Sequence, residues 1–230
     1  MTATRGMKAL DEEERQQVAS TRSDAILDAA ESVFASGYAG ASMREIAERA
    51  GVAQALIHYH FDTKEKLFEA VVARRAGQIN GMRAEMLDAL FAASPTPRLE
   101  DVIEALFRPT IAVGHGHPNG FARILVSMAN SAEPRDQALT QRYYDEIAQK
   151  FIDAIIAVTP DLTRKEAVWA YMFAIGVGMT MMATTGRSTR LSQGEADDRD
   201  IEAMLARIVP FICSGIRALA DESAGEFGKT

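Results

Sequence analysis

Apolar residues recur at helical spacing along most of this chain, and short polar stretches divide them into segments. The clearest case lies at residues 42–68. Ser42 and Glu45 stand as Ser-x-x-Glu, a pairing that satisfies free amides at a helix start. Ile46, Ala47 and Ala50 then fall on one face. Gly51 permits the left-handed backbone that ends the helix. Val52, Ile57 and Phe61 supply the inward positions of the turn and the second helix. Two short helices joined by a tight turn make a helix-turn-helix, whose second helix is shaped for the DNA major groove.

The same pattern predicts helices over about 21–36, 42–49 and 53–60. A fourth, capped by Asp62 or Thr63, runs through Leu67, Phe68, Val71 and Val72 toward Asn80. Others are expected at about 82–93, 99–113, 120–131 and 135–158, with Pro95, Pro97 and Pro160 as stops. The stretch Gly114–Gly120 reads as a loop. Thr163 and Glu166 form a second capping box, and a last helix spans roughly Asp198 to Asp221. β-branched runs of period two are absent, so the expected class is all-α.

Two late segments carry the strongest apolar signal. From Ala167 to Ala183 every position is apolar except Thr180. A helix apolar all round is buried on all sides or lies in a membrane. The run falls short of the roughly 20 residues a bilayer needs. A helix held between its own core and a second subunit fits better, and Gly176 and Gly178 would admit a close neighbour. In the last helix Ile201, Met204, Leu205, Ile208, Phe211, Ile212, Ile216 and Leu219 form one stripe. Two such helices per subunit would pair with their mates as a four-helix bundle.

Composition narrows the chemistry. The single cysteine, Cys213, cannot form an internal disulfide, which suits a cytoplasmic setting. The first residues lack the apolar core of a signal peptide. A formal net charge of −7 opposes DNA binding when taken alone. Within residues 42–66, Arg44, Arg49, Lys64 and Lys66 are balanced by as many acidic groups. Helix N-termini and a few placed side chains still bind phosphate, so the balance predicts DNA binding that fails at modest salt. No nucleophile–base constellation, phosphate-binding glycine loop or good metal-ligand spacing is present, and neither catalysis nor a cofactor is expected.

Beyond the geometry, the residues resemble the DNA-binding domain of TetR-family transcriptional regulators. The resemblance rests on Ile26-Leu27, Ala29-Ala30, Phe34 and Gly37-Tyr38, then the Ile-Ala-x-x-Ala-Gly-Val run from Ile46 to Val52. His58-Tyr59-His60-Phe61 and the Lys-Glu-x-Leu from Lys64 to Leu67 complete it. Ala53 stands where the family commonly has a small Ser, and His58 where it commonly has Tyr. The resemblance implies an N-terminal three-helix helix-turn-helix domain plus a larger helical effector and dimerisation domain. The expected divisions are a mobile arm at 1–20, the DNA-binding domain at 21–66, the ligand-binding and dimerisation domain at 67–222 and a frayed tail at 223–230. Arg108-Pro109, Arg123-Ile-Leu and Phe151 to Leu162 faintly resemble members that sense fatty acids or acyl-CoA.

The expected DNA contacts are Thr21, Arg22, Ser42, Arg44, Ala53, Gln54, Ala55, Leu56, His58, Tyr59, Thr63 and Lys64. Gln54 opens the recognition helix, where an amide can hydrogen-bond adenine bidentately. Ala55 or Leu56 suits a thymine methyl, and Thr63 and Lys64 suit phosphate. Arg44 has a plainer alternative, an i,i+4 pair with Glu48. His58 and His60 lie two apart on a helix and point in different directions, which makes a poor chelate. His115 and His117 lack further ligands, so no metal is expected. A largely apolar cavity is expected from Phe107, Met128, Trp169, Met172 and Phe173, with Thr110, Arg123 and Tyr143 orienting a small apolar or amphipathic effector. Gly176, Met179, Leu205, Ile208, Phe211 and Ile212 are the expected dimer contacts. The expected partners are thus an operator of double-stranded DNA, the effector and a second copy of the chain, with no membrane.

Overall fold

The computed structural model describes residues 21–115, 120–182 and 185–227, which form ten helices and no strand. The arm expected at 1–20 and His117 lie outside the described residues. The helices are α1 (residues 21–34), α2 (Met43–Ala50), α3 (Gln54–Phe61), α4 (Lys64–Ala93) and α5 (Leu99–His115). Then come α6 (Phe121–Ala129), α7 (Pro134–Val158), α8 (Arg164–Met182), α9 (Arg187–Leu191) and α10 (Ile201–Phe227). The last helix thus continues into the segment expected to fray. The described residues divide into two compact units, one ending at Ala73 and one beginning at Arg74.

In the first unit Ile26, Ala30, Ile46, Ile57, Leu67 and Val71 are fully buried. Each large apolar side chain so removed from water contributes about 1.5–3 kcal/mol. Phe34 and Tyr38 both lie with ring centroids 5.0 Å from that of Phe68, edge to face. The Ser42 hydroxyl accepts from the Glu45 amide at 3.1 Å, so one arm of the expected capping box forms. Glu45's carboxylate turns instead toward Arg49, at 3.9 Å. Gly51 ends α2 with φ 66°, and the next amide, of Val52, donates back to the Ala47 carbonyl at 3.0 Å. That left-handed residue turns the chain sharply enough for α3 to begin three residues later.

The break expected near Asn80–Gly81 does not occur, and α4 runs unbroken through both. Asparagine weakens helices by bonding to nearby backbone. Here the Asn80 amide donates to the Tyr143 carbonyl of α7 at 2.7 Å and so does not compete with its own helix.

In the second unit α5 packs against α7 and α10, while α8 packs against α6, α7 and α10. Phe107, Phe121, Phe151, Ile103 and Ile155 fill the space between. At the rim, Arg108 pairs with Glu104 and Glu202, both at 2.7 Å, and Arg217 with Glu100 at 2.7 Å. The segment Ile201–Asp221 is long and apolar enough to cross a bilayer on composition alone. Its Met204, Leu205, Ile208, Ile212 and Ile216 are buried, however, on a helix packed against α5 and α8, the pattern of a core helix.

The outward face of α8 and α10 corrects two expectations. Leu205, Ile208, Ile212 and Met179, expected at a dimer contact, are buried within their own chain because the stripe is the inner face of α10 and α8. Gly178 is likewise used internally, against the Phe107 ring. Phe211 and Gly176 do face outward. Trp169 and Phe173, expected inside a cavity, are 54% and 57% exposed and stack on each other at 5.8 Å. Met172 is exposed beside them. A helix apolar all round gives no phase from which to tell its inner face from its outer one.

A Cβ at Gly178 would collide with the buried Phe107 ring. Gly178→Ala is expected to cost about 1–3 kcal/mol through overpacking, outweighing a helix-propensity gain of about 1 kcal/mol. Gly81→Ala, with nothing near the added methyl, is expected to stabilise by up to about 1 kcal/mol. Urea denaturation of the two variants beside the parent protein checks the opposite signs.

Candidate nucleic-acid interface

The helix pair α2 and α3 leaves one face of α3 open. Ile57 is fully buried beneath it, while Gln54, Ala55, His58 and Tyr59 are exposed, Tyr59 at 83%. Ser42, Arg44 and Ala53 are exposed alongside, and Leu56 is half-buried. Thr21 and Arg22 are exposed at the start of α1.

Two side chains on that face are hydrogen-bonded. His58 Nδ1 lies 2.9 Å from the Asp62 carbonyl, which can only accept, so Nδ1 carries the proton. The bare Nε2 then accepts from the Gln54 amide nitrogen at 3.3 Å. This leaves Gln54 with its carbonyl oxygen and a second N–H free, the pair of groups that adenine's major-groove edge requires. His58, expected as a phosphate contact, is placed beside Gln54 and bonded to it. That pairing follows the i,i+4 spacing and was available from it.

Charge is distributed unevenly here. Arg44 bonds Glu48 at 2.9 Å, the plainer of its two readings, and that contact raises its pKa. Lys66 bonds Asp62 at 2.8 Å and holds the Asp62 carboxyl below its usual range. Arg49 reaches Ser32 at 2.7 Å. Lys64 is different: its ammonium sits 4.4 Å from the centroid of the Tyr38 ring and 3.4 Å from the Ala39 carbonyl. After hydrogen bonds from the backbone and Tyr38, its charge helps hold the Glu65 carboxyl below its usual range without a direct ion pair. Tyr38 is anchored in turn by its hydroxyl, which donates to Glu65 at 2.8 Å. The sequence alone does not show this role of Tyr38, since Lys64 and Glu65 lie more than 25 residues away. Thr63 caps α4 by accepting from the Lys66 amide at 3.2 Å.

In the second unit the expected effector residues separate. Phe107, Thr110 and Met128 are buried, Tyr143 is half-buried and Arg123 is exposed. Met172 instead lines an open groove of about 550 Å³ with Met179, Asn130, Arg187 and Arg190. Among the described residues no three His, Cys, Asp or Glu side chains converge on a metal position. Burial pushes the Cys213 thiol up to about 12, so it stays neutral at pH 7 and is no nucleophile.

Comparison with known proteins agrees with this architecture. The sequence profile described as "Bacterial regulatory proteins, tetR family" matches residues 26–71. That described as "Tetracyclin repressor-like, C-terminal domain" matches residues 104–215. The chain is 35% identical over 88 residues to the HTH-type transcriptional regulator BetI of Rhizobium meliloti, a match covering 38% of this chain and 42% of that protein. The chain thus aligns with less than half the length of this curated relative. The fold is similar to that of the fatty acid degradation regulator FadR from Bacillus halodurans, with TM-score 0.65 and 15% identity over 85% of this chain and 96% of that one. FadR from Bacillus subtilis, in complex with stearoyl-CoA, gives 0.59 and 17% over 83% and 97%. PfmR from Thermus thermophilus gives 0.58 and 18% over 80% and 97%. At these identities the likenesses concern the fold. Two family profiles that together span more than half the sequence, laid over a helix-turn-helix and a larger helical unit, establish that this chain belongs to the TetR family of DNA-binding transcriptional regulators.

Proposed function

We propose that the chain acts as a homodimeric repressor that binds a pseudo-palindromic operator and leaves it when a largely apolar or amphipathic small molecule binds. The observation that carries this reading is the outer face of α3, where Gln54 is held by His58 with its base-pairing groups free. Phosphate contacts from Lys64, Thr63, Tyr59, Arg22 and Thr21 would fix the helix in the groove, and Gln54, with Ala55, would read base edges.

The exposed apolar strip of Trp169, Phe173 and Phe211 supports a dimer, since monomeric proteins rarely leave such a patch in water. Between α8 and α10 an apolar groove of about 380 Å³, lined by Phe173, Val177, Phe211 and Leu219, would receive side chains of the second copy. Two recognition helices related by a two-fold axis would then enter successive major grooves, about 34–36 Å apart or a multiple of it. The effector would act through α4, which begins at Lys64 and reaches Ala93 without a break. The stearoyl-CoA bound by the Bacillus subtilis relative supports an acyl-type effector.

Gln54→Ala is expected to relax preference at one base position with a loss of about 1–3 kcal/mol. His58→Ala is expected to affect the same position, and the double variant to lose less than the sum. Lys64→Ala is expected to weaken all sequences alike and to lower the salt slope by about 1. Selection from random duplexes followed by titration at several salt concentrations checks all three; parent-like selectivity in Gln54→Ala would assign the reading face elsewhere.

Phe211→Glu is expected to weaken dimerisation by at least about 2 kcal/mol without unfolding the chain, because Phe211 is 69% exposed in the single subunit. Ile208→Glu, at a buried site, is expected to unfold it. Sedimentation velocity with circular dichroism distinguishes the two, and a parent protein that is a compact monomer at micromolar concentration would remove the dimer.

Effector control requires differential affinity. Tenfold release of operator corresponds to about 1.4 kcal/mol, and operator must weaken effector binding by the same factor. Titrating fatty acids, acyl-CoA esters and aromatic compounds with and without operator DNA checks this. Equal affinity in both conditions for a compound that binds would sink the ligand-responsive reading.

A further inference from the structure

Arg83, on α4, is 3% exposed. Its Nε donates to the Leu106 carbonyl at 2.9 Å, one terminal nitrogen to the Asn80 side-chain oxygen at 3.2 Å and the other to the Thr110 hydroxyl at 2.8 Å. All three acceptors are neutral. No carboxylate pairs with the guanidinium among the described residues, and the ionisable groups within its electrostatic reach are two phenols, Tyr171 and Tyr144. Burial raises both phenols, so they stay uncharged at neutral pH, and burial lowers the Arg83 pKa. An unpaired buried charge is among the costliest features a fold can hold.

The hydrogen bonding is also incomplete. A guanidinium carries five N–H groups. The three bonds leave one N–H on each terminal nitrogen without an acceptor. The Tyr144 hydroxyl is buried with no partner at all. The Asn80 bond to the Tyr143 carbonyl ties that stretch of α7 to the same turn of α4. Pro109, inside α5 between Leu106 and Thr110, removes a helical N–H at this level. Unfilled donors around an uncompensated positive charge are what a carboxylate satisfies, through two N–H···O bonds from arginine and one O–H···O bond from tyrosine.

We infer that Arg83, with Thr110 and Tyr144, is the seat of an anionic head group, so that the effector of this chain is an organic acid whose carboxylate is buried against Arg83 and whose apolar tail lies among the core helices of the second unit. The inference rests on the ligand-responsive reading above and narrows its ligand to an acid. It also gives α4 a direct share in ligand binding, because the charged group belongs to that helix.

The test uses the full chain and a series of straight-chain carboxylates from hexanoate to palmitate, each set against the matching alcohol. Binding is measured by calorimetric titration and by the rise in Tm. The expected result is that the best carboxylate binds at least about tenfold more tightly than its alcohol. Arg83→Met should abolish that preference while retaining alcohol binding. Arg83→Lys, which keeps the charge without the fork geometry, should restore part of it. If Arg83→Met does not fold, Tyr144→Phe carries the test: it removes an unpartnered hydroxyl, leaves stability equal or higher, and should weaken the carboxylate about three- to tenfold with the alcohol unchanged. An alcohol that binds as tightly as its acid, a series in which no carboxylate binds, or a Tyr144→Phe protein with unaltered carboxylate affinity would each overturn the inference. The two readings fail separately. A carboxylate held by Arg83 that leaves operator affinity unchanged keeps the seat and removes ligand control. A neutral molecule that releases operator while no carboxylate binds keeps ligand control and removes the seat.

Discussion

One helix contributes to two hydrophobic cores. Leu67, Phe68, Val71 and Val72 of α4 belong to the first unit, and Ile79, Arg83 and Leu87 to the second. Its continuity depends on a polar contact at the position where the sequence most favours a break. The Asn80 amide, which would otherwise bond to neighbouring backbone, is engaged by α7 at the Tyr143 carbonyl. Nucleating a separate helix after Gly81 would require a new costly first turn. The unbroken form avoids it, and α4 runs as one regular helix from Lys64 to Ala93.

The charges follow a related economy. A chain with a net charge of −7 is a poor polyanion binder by its long-range field. At the helix-turn-helix, most cations are already committed to nearby carboxylates, Arg44 to Glu48 and Arg49 to Glu45 within α2 and Lys66 to Asp62 in the turn before α4. Those exposed pairs contribute little to stability. They do restrict which cations meet a phosphate without first giving up a partner, and Lys64 stands out because an aromatic face, not a carboxylate, holds it. Selectivity in such an arrangement comes from placement more than from attraction.

The sequence carried the local structure of the first unit well. Ser42 and Gly51 bracket α2 in type and position, and Ile46, Ala47 and Ile57 keep the helical period that marks an inner face. These signals are short-range, so one chain segment suffices to read them. Where the deciding partner is distant, the reading failed. Asn80 looks like a helix end until Tyr143 is beside it. Trp169 and Phe173 look like core because every neighbour in α8 is apolar and the segment has no phase. Leu205 and Ile208 look like a subunit contact for the same lack of context, although α5 and α8 cover their helix in the single chain. Arg83 gave no signal at all, because a charged residue on a predicted helix is by default on the solvated side.

The lysine above the Tyr38 ring has a further meaning in terms of freedom of motion. A lysine fixed in one rotamer loses up to about 2 kcal/mol of side-chain entropy. Lys64 rests on an aromatic face whose own hydroxyl is tethered to Glu65, and its ammonium touches the Ala39 carbonyl. Much of that loss is therefore incurred when the chain folds and not when DNA arrives. A phosphate that meets this ammonium encounters a group already aimed and slowed, and the contact returns more of its gross energy as affinity than one with a freely moving surface lysine.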